Sequence, residues 1–114
     1  MTVSVAATAQ DASVLADLSS ALRAHYGTRL VKLVLFGSRA RGDAEQDSDF
    51  DVLVVLRGHV DPRVERQAMG DTVYRVCWDH DVVVSCHFVT VDRFDHEQSP
   101  LFLNARREGV PVPA

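Results

Sequence analysis

The stretch VLFGSRARGDAEQDSDFDVLVVL, residues 34–56, contains two apolar runs separated by a polar segment. The first run stops at the Gly-Ser pair at 37–38, and a short basic segment follows over 39–41. The second run begins with an Asp-Phe-Asp triplet at 49–51. Valine-rich runs bounded by glycine and polar residues are typical of β-strands. The stretch therefore predicts a strand, a short helical turn, an exposed loop over 43–48 and a second strand that is buried on both faces.

The two aspartates that open the second run are placed to share a cation. Successive side chains of a strand alternate between faces, so Asp49 and Asp51 project to the same side, about 6.6 Å apart at a rise of about 3.3 Å per residue. Mg²⁺ takes oxygen ligands and keeps phosphates and waters in its shell, whereas zinc prefers histidine and thiolate ligands. The pair therefore predicts a magnesium site.

The glycine-serine bend before them suits a phosphate. Gly37 lets an anion approach the backbone closely. Ser38 offers a hydroxyl, and the start of a short helix offers unpaired N–H groups. Arg39 and Arg41 are the basic residues placed to contact a phosphate. A Gly-Ser turn or an Asp-x-Asp pair alone is more often structural, so this prediction depends on both parts together.

Composition limits the class of protein. The chain has 114 residues, a net charge of −4 and a pI near 5.6. This length predicts one domain over 11–114 after a flexible tail over 1–10. The acidic charge argues against direct DNA binding. The sequence shows no signal peptide and no membrane-spanning run, which predicts a cytoplasmic location.

The remaining elements follow from periodicity and capping residues. Asp61 and Pro62 form a typical helix start, and the valine-rich run that follows this helix predicts a third, buried strand. The predicted helices cover 11–26, 38–41, 62–78 and 100–109, and the predicted strands cover 30–36, 50–56, 81–89 and, at a sheet edge, 110–112. The fold class is therefore α/β (α+β), with a small mixed sheet of three to four strands flanked by about four helices.

The motif resembles a known signature. Gly37-Ser38, ten intervening residues and Asp49-x-Asp51 are similar to the signature of the polymerase-β-like nucleotidyltransferases. The fuller string most resembles the minimal nucleotidyltransferases, small antitoxins encoded beside HEPN toxins. The resemblance implies a nucleotidyltransferase fold and the transfer of AMP from ATP, with two Mg²⁺ ions, to a tyrosine of a partner HEPN ribonuclease toxin. It also implies a hetero-oligomer with that toxin.

The resemblance further implies a third carboxylate. Asp81 opens the predicted third strand, in front of three valines, and is the preferred candidate for a catalytic metal ligand beside Asp49 and Asp51. Asp79 has the same strand parity and stays the alternative.

Two other functions remain open. One is an antitoxin that neutralises its toxin sterically without catalysis. The other is a nucleotidyltransferase that modifies a small molecule such as an antibiotic. The pattern Arg75-x4-His80 matches a loose HEPN ribonuclease motif, but it leads into a strand and is interpreted as chance. Cys86 and His87 are strand neighbours on opposite faces, so we interpret them as structural.

Overall fold

The structure, a computed structural model, describes residues 9–41 and 49–112, so the predicted loop over 43–48 and most of the predicted tail lie outside the described residues. The helices are α1 (Ala9–Tyr26), α2 (Ser38–Arg41), α3 (Pro62–His80), α4 (Val91–His96) and α5 (Pro100–Glu108), with a 3₁₀ turn at Gly27–Arg29. The strands are β1 (Leu30–Phe36), β2 (Phe50–Leu56), β3 (Val84–Thr90) and β4 (Val110–Val112).

The strands form one mixed sheet in the order β3-β2-β1-β4. β1 pairs antiparallel with β2 and with β4, whereas β2 and β3 are parallel. A parallel pair needs a long crossover connection, which α3 supplies. Pro111 lies in the edge strand β4, where its missing N–H is tolerated. The predicted mixed α/β fold is confirmed.

Both faces of β2 are covered, as the apolar run predicted. Phe50, Val52 and Val54 pack with α1 and α3 in one core cluster. Leu53 and Val55 pack on the other face with apolar residues of α4 and α5. Because side chains alternate, Asp49 and Asp51 belong to the α4–α5 face, at the end of β2 where cover gives way to solvent. Asp49 is exposed, and Asp51 is partly buried.

The bounds of β1, α2 and β2 match the prediction. α3 begins as predicted, since the Asp61 side chain accepts a hydrogen bond from the Arg63 amide at 3.1 Å and Pro62 is the first helical residue. No helix within the described ranges 9–41 and 49–112 is long and apolar enough to cross a membrane.

The predicted start of the third strand is wrong. α3 continues to His80, and Asp81 is its C-cap, with φ 54° and ψ 50° in the left-handed region. Aspartate tolerates that conformation better than most residues because its short polar side chain bonds locally. β3 begins only at Val84, which lies opposite Phe50 in the parallel pair. Asp81 therefore ends a helix and does not open a strand.

Candidate functional site

The two halves of the motif meet in the fold. Phe36 is the register partner of Asp51, so the bend that follows Phe36 lies beside the Asp51 carboxylate. Gly37 has φ 81°, and a Cβ added there would lie 2.9 Å from Asp51 Oδ2. The carboxylate thus lies in the space that the missing side chain of Gly37 leaves open. This contact brings the predicted phosphate-binding bend next to the predicted metal ligands.

The bend leads directly into α2. The amides of Ala40 and Arg41 both donate to the Gly37 carbonyl at 3.1 Å, which closes the first turn over Ser38. Ser38 is partly buried. Ser38 directly follows Gly37 and begins α2, so the N-terminal amides of this turn remain available to a ligand, and its role in phosphate binding stays a prediction.

The electrostatics of the carboxylate pair suit a cation. Burial raises the pKa of Asp51, the nearby His87 lowers it, and the charge of Asp49 raises it further. Two carboxylates on one face, one of them partly desolvated, are stabilised by a positive ion between them.

The donor set fits Mg²⁺ bound together with a nucleotide. Within the part of the chain that the structure describes, no three His, Cys, Asp or Glu side chains are grouped to hold a metal ion. Mg²⁺ is usually bound by one or two carboxylates, with substrate phosphates and waters completing its shell. Asp49 and Asp51 would supply those two carboxylates, and the Gly37 bend would leave room for a phosphate beside them.

The structure does not bring the candidates for a third carboxylate into this group. Asp81 caps α3 and lines a small pocket with Trp78 and Val83. Asp79 lies on α3, where its Oδ2 accepts a hydrogen bond from Arg75 Nη1 at 2.9 Å. α3 packs on the sheet face opposite the one to which Asp51 belongs.

The two arginines of the motif have different environments. Arg39 is buried, with its Nη1 3.0 Å from Asp11 Oδ1 and its guanidinium 4.0 Å from the centre of the Phe50 ring. It thereby ties α1 and α2 to β2. Arg41 is exposed, and its Nη1 lies 3.9 Å from Glu108 Oε1. Of the two side chains, that of Arg41 is the more exposed, at 44% against 7% for Arg39.

The structure also adds His87, which the sequence pattern indicated as a structural residue. In the parallel pair, Asp51 lies opposite Ser85 and Leu53 lies opposite His87, so His87 shares a face with Asp51. The His87 ring is exposed and lies 5.6 Å from the Phe36 ring, centre to centre. Phe36 lies on β1, and β2 separates β1 from β3. The His87 imidazole therefore extends across β2, beside Asp51. The shared face becomes visible only once the register of β2 and β3 is known.

Arg75 and His80 both contact Asp17, a residue of α1. Arg75 Nη1 and Nη2 both donate to the Asp17 carboxylate at 3.1 Å. His80 Nε2 lies 3.0 Å from Asp17 Oδ2. The pattern therefore joins α3 to α1.

This junction predicts a pH dependence. The hydrogen bonds from Arg75 and then from His80 hold the pKa of Asp17 below its ordinary value of 3.8. A carboxyl whose pKa is lowered on folding stabilises the fold above its unfolded pKa, and the contribution is lost as pH falls through the folded pKa. We expect Asp17→Asn to lower the free energy of unfolding at pH 7 and to match the wild type in strong acid. Urea titrations at both pH values measure this, and an equal difference at both would contradict it.

Comparisons with known proteins agree with this geometry. Residues 15–106 match the nucleotidyltransferase domain family. A Methanocaldococcus jannaschii protein named "Putative protein adenylyltransferase" is 47% identical over 45 residues, which are 40% of this chain and 43% of that protein. A second protein of that organism and name is 32% identical over 69 residues, 60% of this chain and 65% of that protein. The chain thus spans about half to two thirds of the length of these relatives.

A solved structure shows the same fold. The crystal structure of a toxin-antitoxin with AMP-PNP superposes with a TM-score of 0.63 over 88% of this chain and 73% of that one, at 18% identity. At this identity the likeness concerns the fold alone. With the family match over most of its length and the motif halves in contact, the chain belongs to the nucleotidyltransferase domain family.

Proposed function

We propose that the chain is an antitoxin that transfers AMP from ATP to a tyrosine of a partner HEPN ribonuclease toxin. The observation that carries the proposal is the Asp51 carboxylate lying against Gly37, which supports a cation site beside a phosphate site. Relatives named as protein adenylyltransferases support a protein acceptor. The toxin-antitoxin structure of the same fold supports a toxin as that acceptor. We propose that this antitoxin and its toxin act in the cytoplasm.

Asp49 and Asp51 would hold two Mg²⁺ ions together with the triphosphate. When bound, such ions stabilise both the attacking and the leaving oxygen of an in-line displacement. Ser38 and the backbone at Gly37 would hold the β- or γ-phosphate, and Arg41 would contact it from the exposed side.

The transfer itself forms one bond and breaks another. The tyrosine oxygen bonds to the α-phosphorus of ATP, the bond from that phosphorus to the bridging oxygen breaks, and pyrophosphate leaves. The hydroxyl proton passes to a base, for which His87 is placed because it faces the same side of the sheet as Asp51. Asp81, which caps α3 away from this group, would need to move to act as a third ligand.

The test is transfer of labelled AMP to a purified HEPN toxin, the proposed partner of this chain. We expect the wild type to label it on tyrosine and to silence its ribonuclease. The variant Asp49→Asn/Asp51→Asn should do neither, because it lacks both charged ligands. Asp71→Asn, a change of the same kind at an exposed position on α3, is the matched control and should behave as the wild type. Peptide mass spectrometry locates the label.

One observation favours a second candidate, the steric antitoxin. No third carboxylate joins Asp49 and Asp51 among residues 9–41 and 49–112. A steric antitoxin would leave the toxin unlabelled, and the double variant would inhibit the ribonuclease as well as the wild type does. That pair of results would replace our proposal.

A further inference from the structure

A groove runs along the outer edge of the sheet. It has a volume of about 460 Å³ and lies between α3 and β3. Its β3 side includes Val84 and Phe88, which face α3, and also Ser85 and His87, which share the face of Asp51. Because residues from both faces of β3 line it, the groove follows the edge of the strand. It therefore continues from the candidate site to the α3 side of the molecule.

Among the residues that the structure describes, no strand pairs with the outer edge of β3 along this groove. β3 is the end strand in the sheet formed by the described residues. The Phe50 amide donates to the Val83 carbonyl at 2.8 Å, and alternate residues of a parallel strand bond to the same neighbour. The backbone N–H and C=O groups of the odd-numbered β3 residues thus point toward β2, and those of Cys86 and Phe88 point outward. The Val84 amide, also directed outward, is met by Cys77 Sγ at 3.4 Å.

The groove and the pocket that adjoins it have an apolar wall, with Arg66 in the groove and Asp81 in the adjoining pocket. Tyr74 and Trp78 are 62% and 69% exposed, large values for aromatic side chains, and their rings contact each other edge to face. Arg66 lines the groove near the first turns of α3, and Asp81 lines the adjoining pocket at the helix end. No acidic side chain is among the residues that line the groove itself. In a chain of net charge −4, these positions of Arg66 and Asp81 favour a particular kind of bound segment. It would be apolar, with an acidic residue at the Arg66 end and a basic residue at the Asp81 end.

We propose that the acceptor protein adds an extended segment to the outer edge of β3 and presents its tyrosine from that segment. The proposal rests on the proposed transfer to a protein. Main-chain hydrogen bonds to Cys86 and Phe88 would give affinity, and apolar side chains in the groove would give specificity. The exposed aromatic pair would become buried on binding, as aromatic residues at interfaces commonly are.

The register suits a tyrosine as the proposed acceptor. Phe36, Asp51 and Ser85 form one row across the sheet, and a residue paired with Ser85 would extend that row on the same face. An added strand would lie two strand spacings from β2, about 10 Å. A tyrosine side chain on this row can lie over β3 and approach a phosphate beside Asp51. A serine at the same position would stay above its own strand.

The test uses Gly70, which lines the groove from α3. A Cβ added at Gly70 meets no atom within 4 Å outside its own helix backbone, and glycine is the weakest helix former apart from proline, so substitutions there should keep the fold. We expect Gly70→Phe to fill the groove and weaken binding of the purified HEPN protein about tenfold or more, and Gly70→Ala to bind as the wild type. In the wild-type complex, amide exchange should slow at Cys86 and Phe88.

The outcomes are distinct from those of the transfer test, because binding is measured without ATP. Wild-type affinity in Gly70→Phe, or unchanged exchange at Cys86 and Phe88, would overturn the proposal. Protection of those amides in the chain alone would also overturn the proposal. Protection that rises with protein concentration would mean that a second copy of the chain occupies the edge. Protection that does not depend on concentration would mean that the chain's own terminal residues occupy it. If Gly70→Phe loses binding and the wild type binds the HEPN protein but transfers no AMP to it, the proposed docking edge is supported and the proposed transfer is refuted.

Discussion

Replacing Asp51 with asparagine is expected to lower AMP transfer at least about 100-fold, because a bound cation contributes several kcal/mol to stabilising the charge that develops on the phosphates. The asparagine side chain has nearly the same size, so the contact with Gly37 stays possible while the negative charge is lost. The fold should tolerate the change, since Asp51 is partly desolvated beside the like charge of Asp49. Steady-state transfer rates and thermal unfolding of the same samples measure both effects.

Magnesium provides the second readout for this variant. A ligand that binds only the folded state stabilises it by a free energy that grows with the logarithm of one plus the ratio of its concentration to its dissociation constant. Mg²⁺ with a nonhydrolysable ATP analogue should therefore raise the melting temperature of the wild type and leave that of Asp51→Asn nearly unchanged. Asp81→Asn is the informative control, because Asp81 caps α3 outside the group. A loss of transfer in Asp81→Asn as large as in Asp51→Asn would show that the helix end moves into the site.

The elements around the motif could be predicted because local sequence determines them. β1, α2 and β2 are fixed by two apolar runs, a glycine and a pair of aspartates, and their observed bounds match the prediction. The adjacency of Gly37 and Asp51 follows from the same pattern, since a strand that ends at the bend pairs with the strand that begins at the aspartates. A signal of this kind needs no information from distant parts of the chain.

The rest of the site depends on contacts between distant residues. Arg39 looks like a phosphate ligand from its neighbours, but its guanidinium meets Asp11, 28 positions earlier in the chain. The start of β3 is set by pairing with Phe50, and the valines alone do not show where the helix before them ends. His87 shares a face with Asp51 only because β2 and β3 are parallel in that register. Sequence periodicity describes each strand separately and leaves their relation open.

Gly37→Ala is expected to impair folding and transfer together, for two separable reasons. The residue has φ 81°, where a side chain costs about 1–2 kcal/mol. Its new Cβ would also lie 2.9 Å from Asp51 Oδ2, too close for a real contact, so the carboxylate must shift. The backbone strain lowers the free energy of unfolding, and the shifted carboxylate weakens the cation site.

Gly58 separates these two effects. It has φ 79°, nearly the same backbone strain, but a Cβ there would meet no atom within 4 Å. Gly58→Ala should therefore lose about the same 1–2 kcal/mol of stability and keep wild-type transfer at temperatures where it is folded. Gly37→Ala should lose transfer about tenfold or more under the same conditions, since small misplacements of catalytic groups are costly. Equal transfer by the two folded variants would mean that the Asp51 carboxylate does not need its place beside the bend.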